Sequence, residues 1–135
     1  MSVEDMRRSP MMSHLLDALA RGEDIGHYGR LTFAMIARHF LDRNELIQWL
    51  AKDRSCDEHE AKSLVQQVET HDYNPPSRQR ILEWHAHQEF PICPTPDDPD
   101  ACNPYRELQL PSHVFEEIEE YHEQQFDAKA GERPT

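Results

Sequence analysis

Six of the chain's ten prolines fall in one stretch, PICPTPDDPDACNPYRELQLP at 91–111. A proline inside a helix has no N–H to donate and clashes with the carbonyl four residues back, and in a central strand it breaks the ladder. Residues 91–111 therefore lack long regular structure. An irregular segment of about 20 residues in a small domain is more often functional or ligand-organised than idle. Regular elements must lie before and after it.

They read as helices. Ser9 and Pro10 form an N-cap and a first-turn proline, and MMSHLLDALAR runs from there to Gly22, a C-terminal stop. Met12, Leu15, Leu16 and Leu19 share one face at i, i+3, i+4, i+7 spacing. The turn GEDIGHYG holds three of the four glycines, and Gly29 opens a second helix, RLTFAMIARHFL, apolar almost all round and so expected at the centre. Asp42 caps a third helix through Leu46, Ile47 and Leu50, and Asp57 a fourth through Ala61, Leu64, Val65 and Val68. Tyr73-Asn74-Pro75-Pro76-Ser77 is a break, RQRILEWHAHQ a fifth helix, and Ser112 caps a last one, HVFEEIEEYHEQQF. No period-2 strand pattern and no internal repeat occur. The expected fold is all-α: a single compact domain of five or six helices over 9–126, with the Pro-rich loop before the last helix. Residues 1–8 and 127–135 are expected as flexible ends.

A length of 135 residues suits one domain, since typical domains span about 100 to 200 residues. Neither an apolar run long enough for a membrane span nor a secretory leader pattern is present, so the expected location is cytoplasmic, with no membrane partner. Three cysteines, Cys56, Cys93 and Cys102, are too few for a disulfide framework and suit a reducing compartment. The net charge of −12 is uneven. Residues 1–50 hold 6 basic and 7 acidic side chains, 51–90 hold 5 and 8, and 91–135 hold 3 and 11. A uniformly acidic chain is repelled by phosphate. This one is nearly balanced in its first half, where a local basic face remains open to it.

Three constellations bear on chemistry. At Gly26-His27-Tyr28-Gly29-Arg30 a helix begins, and a helix N-terminus presents unpaired N–H groups with positive partial charge. The glycines admit a ligand to the backbone, and Arg30 adds a planar fork for phosphate oxygens. With Arg38 two turns on and His39 beside it, this describes an anion seat; the same glycines also suit a plain interhelical turn. Second, Cys93 and Cys102 in the loop and His85 and His87 upstream are zinc-ligand types. Their spacing is loose, and two histidines two apart on a helix point to different sides; idle or buried cysteines explain them as well. Third, Glu116, Glu117, Glu119 and Glu120 read as the solvated face of an amphipathic helix rather than as paired catalytic carboxylates. No nucleophile elbow, phosphate-binding loop, HExxH or EF-hand loop occurs. The expectation is of no enzyme activity.

The order of the landmarks resembles the C-terminal domain of the large subunit of archaeal and eukaryotic DNA primase. The resemblance runs from about Ser9 to about Tyr121 and rests on H-x-G-R at His27 to Arg30, Y-x-P-P-S at 73–77 and Ile-Cys-Pro at 92–94. It implies an all-helical domain with an iron-sulfur cluster on four cysteines, which helps start primers by binding template and the initiating nucleotide's 5'-triphosphate. Phosphate contacts would fall on His27, Arg30 and Arg38. Two cluster positions are altered: Met11 and Arg78 stand where the family has cysteine, leaving only Cys93 and Cys102 as residual ligand positions. A cluster needs about four thiolate-type ligands, so no iron-sulfur cluster, metal or other cofactor is expected. Met11 would fill the gap as a flexible apolar side chain, with Arg78 spanning toward Asp97, Asp98 or Asp100 and the 91–111 loop less rigid.

Two functions follow. One is a non-catalytic accessory protein that binds nucleotide 5'-phosphates or primed or single-stranded nucleic acid and assists a primase or polymerase catalytic subunit in DNA replication. The other is an acidic protein-protein adaptor that keeps the fold without nucleic-acid binding and contacts its partner through Val114, Phe115, Ile118 and Tyr121. A small zinc module on Cys93 and Cys102 trails both.

Overall fold

A computed structural model describes residues 2–72, 75–95, 97–98, 103, 105, 108 and 110. Six α-helices follow one another, with no strand among the described residues: α1 (Val3–Met6), α2 (Pro10–Ala20), α3 (Gly26–Ala37), α4 (Arg43–Leu50), α5 (Glu58–His71) and α6 (Arg78–Ala86). None is long and apolar enough to cross a membrane. The expected last helix at 113–126 and the tail at 127–135 lie outside the described residues.

Local chemistry places most helix ends. The Ser9 hydroxyl accepts the Met12 N–H at 3.2 Å with Pro10 in the first turn, while Asp42 and Asp57 accept the Glu45 and Glu60 N–H groups, each at 2.8 Å. Helix α2 ends in a Schellman arrangement: Gly22 takes φ +73°, its N–H donates to Leu19, and the Glu23 N–H donates to Ala18. The Ser77 hydroxyl starts α6 by accepting the Arg80 N–H.

Helix α3 is the axle. Six consecutive residues, Thr32 to Ala37, are buried, which requires cover on every side. α2, α4, α5 and α6 supply it, and α4 and α5 form an antiparallel hairpin beside it.

Two segments expected to be loose make packing contacts. The first residues are not a loose end: Ser2 caps α1, Met6 is fully buried, and Arg7 pairs with Asp17 of α2 at 2.8 Å. Burying one methionine stabilises by roughly 1.5–3 kcal/mol, which offsets part of the entropy lost in ordering this turn. The described parts of the Pro-rich segment are also not loosely attached. Ile92, Cys93, Asn103, Tyr105, Leu108 and Leu110 are all buried, and the Tyr105 hydroxyl donates to the Pro76 carbonyl. Burial pushes the Tyr105 phenol well above its ordinary pKa, so it stays a donor.

Candidate functional site

The H-x-G-R residues lie in the first two turns of α3, which starts three residues earlier than the sequence suggests, at Gly26 rather than Gly29. Ile25 stands at the N-cap and offers no side-chain hydrogen bond. Three amides at this end are satisfied from elsewhere. The Ile25 N–H donates to Asp53 Oδ2 at 2.9 Å, the Gly26 N–H to Asp24 Oδ1 at 2.8 Å, and the Tyr28 N–H to Gln88 Oε1 at 3.0 Å. Gln88 completes its clamp by donating through Nε2 to the Ile25 carbonyl at 2.8 Å and the Phe90 carbonyl at 3.0 Å.

Arg30 faces the same carboxylates. Its Nη1 donates to Asp24 Oδ1 at 3.0 Å and to Asp53 Oδ2 at 3.2 Å, with its side chain 17% exposed. The Asp53 side chain is wholly enclosed and takes a third donor, the Ser55 N–H, at 2.7 Å. Asp24 is 39% exposed and accepts the Ser55 hydroxyl at 2.8 Å. That hydroxyl, then the Gly26 amide, and more weakly Arg30, hold the Asp24 carboxyl below its ordinary pKa against the opposing effect of burial. Beside this network burial pushes the free Cys56 thiol up, so it stays protonated and inert.

The expected open strip of His27, Arg30 and Arg38 is therefore not what the residues form. Arg38, at the C-cap of α3, lies about 12 Å along the axis from Arg30, and its Nη2 pairs with Asp72 Oδ1 at 2.5 Å. His27 is exposed and sets its ring edge against Tyr28 (5.3 Å, 66°), which stacks on Trp84 of α6 (5.5 Å, 16°). His39 is half-buried. The Ile25, Gly26 and Tyr28 amides already have acceptors, and both guanidinium groups rest on carboxylates. Asp24 carried a local signal, an Asx residue two before a glycine. Asp53 and Gln88 approach from 28 and 63 residues away and left none.

The cluster positions do not fit an iron-sulfur centre. Met11 is fully buried and offers only a thioether. Arg78 opens α6 with a cation, and Cys93 is disulfide-bonded, so it has no thiolate to give. Cys102 and Asp100 lie outside the described residues. His85 Nδ1 accepts the Cys93 N–H at 3.2 Å, while His87 is exposed at the end of α6. Among the described residues no three His, Cys, Asp or Glu side chains gather as a metal site.

Comparison of the chain with family models, with curated proteins and with solved structures finds no match.

Proposed function

We propose that the chain is a non-catalytic accessory protein on a scaffold like that of the C-terminal domain of the primase large subunit, binding nucleotide 5'-phosphates or primer-template for a primase-polymerase. The observation that carries this is the state of Arg30. Both carboxylates engage the one nitrogen Nη1, so Nε and Nη2 keep their donors without a hydrogen-bond partner among the described residues. Asp53 is buried and fixes the guanidinium; Asp24 is exposed and displaceable. A phosphate takes two charge-assisted hydrogen bonds from the free edge and competes with Asp24 for the rest.

The test is anisotropy with a 5'-triphosphorylated primer-template. The expected result is binding that weakens with salt, falls at least about tenfold for Arg30→Ala combined with Arg38→Ala, and strengthens several-fold for Asp24→Asn, which removes the competing charge. Unchanged binding in folded variants overturns the proposal. The carboxylates on Arg30 and Arg38 favour a second reading, the acidic adaptor, in which the former phosphate grip has become internal scaffolding. It expects no binding at about 150 mM salt, where screening shortens any residual attraction. Its anchor stripe at Val114, Phe115, Ile118 and Tyr121 lies outside the described residues.

A further inference from the structure

An open groove of about 570 Å³ lies between the start of α4 and the outer face of α5. Its lining runs from Arg43 along α5 from His59 to His71 and contains no carboxylate, in a chain with 26 acidic and only 14 basic side chains. The lining carries a guanidinium, the Lys62 ammonium, two imidazoles, the Gln66 and Gln67 carboxamides and the Ser63 and Thr70 hydroxyls, set among side-chain stems that leave most of the exposed groove surface apolar. His59, Ser63, Gln66 and Thr70 recur at three- and four-residue steps, so they form one stripe about 16 Å long.

Part of the strip is already oriented. Gln66 Oε1 accepts from Arg43 Nη2 at 3.1 Å, and its Nε2 donates to Thr70 Oγ1 at 2.8 Å. The groove's cations do have acidic neighbours: Glu69 grips Arg43, and Glu58 pairs with Lys62 at 3.2 Å. Both pairs are solvent-exposed. Such pairs contribute about 0–1 kcal/mol and exchange readily for another anion.

We infer that this groove seats the phosphodiester backbone of a nucleic-acid strand. Arg and Lys mixed with Ser, Thr, Gln and His is the set that contacts phosphate and sugar without reading sequence. An acidic peptide is instead gripped by clustered arginines, and the groove has one. The inference rests on the proposed nucleic-acid binding and assigns it a second contact, on a different helix from Arg30.

The full chain is titrated against labelled oligothymidylate at several salt concentrations. Lys62→Gln is expected to reduce the slope of log K against log salt by about 0.7, one single-strand phosphate contact. Ser63→Glu, an exposed change, is expected to weaken binding about tenfold by setting a carboxylate against phosphate. Gln79→Glu adds the same charge on α6 outside the groove and is expected to stay within about twofold. If Ser63→Glu binds like Gln79→Glu, or a polyglutamate peptide competes as well as the oligonucleotide, the inference is overturned. If the α5 variants are silent but Arg30→Ala with Arg38→Ala abolishes binding, the groove fails and the proposed function stands. If the unaltered chain binds no nucleic acid, both fall.

Discussion

At Asp24 one carboxylate meets three donors, the Ser55 hydroxyl, the Gly26 amide and Arg30. These favour the ionised form and lower its pKa, so folding and deprotonation are linked. The sign follows from the direction of the shift. The contribution is complete above the ordinary carboxylate value of 3.8 and disappears as pH falls through the lower folded value. Asp24→Asn removes the charge at every pH. The melting-temperature gap between the native chain and this variant is therefore expected to be widest well above the ordinary carboxylate value of 3.8 and to narrow as pH falls below it. A gap that stays constant over that window would mean the carboxylate contributes only as a neutral acceptor. Because Asp24 is exposed to water, the gap should be modest, unlike the cost of removing the enclosed Asp53.

The same network shows why helix α3 begins where it does. Gly26 has φ +80°, and a Cβ built there would lie 2.4 Å from Gln88 Oε1 and 2.6 Å from its Cδ. Gly26→Ala is expected to destabilise by more than about 1 kcal/mol through the strained backbone alone, and further by expelling the Gln88 amide that ties α6 to α3. Denaturant unfolding measures the total. Gln88→Ala separates the parts, because in that background the steric share of Gly26→Ala disappears while the backbone share remains. The helices whose ends depend on near neighbours were legible in the sequence: Ser9, Asp42 and Asp57 cap within three residues, and Gly22 closes α2 within five. The start of α3 was not, since Asp53 and Gln88 reach it only once α4 and α6 have packed. Arg30 was likewise legible as a cation at a helix start, but not as one already in contact with two carboxylates. Short α1 was missed because its anchor, Met6, has no periodic partner within the helix.

Across the whole molecule, salt acts on two quantities in opposite directions. The net charge of −12 opposes compaction by self-repulsion, and residues 91–135 alone hold 11 acidic against 3 basic side chains. Added salt screens that repulsion, with a Debye length of about 10 Å at 0.1 M. The enclosed Arg30–Asp53 contact is screened much less than surface pairs. Raising salt from about 0.05 to 0.5 M is therefore expected to raise the melting temperature by roughly 2–5 °C. The proposed nucleic-acid binding would move the other way. For single strands log K falls with about 0.7 of each neutralised phosphate, so between about 50 and 200 mM salt affinity drops about sevenfold if two cations touch the strand and about fiftyfold if four do. On the proposed reading Arg30 and Arg38 on α3 would supply two, and Arg43 and Lys62 in the α5 groove two more. A slope near four contacts requires both surfaces to hold one strand together, and a slope near two assigns the strand to one of them. A melting temperature that falls with salt would instead show that the ion pairs around Arg7, Arg38 and Arg43 contribute more than the self-repulsion costs.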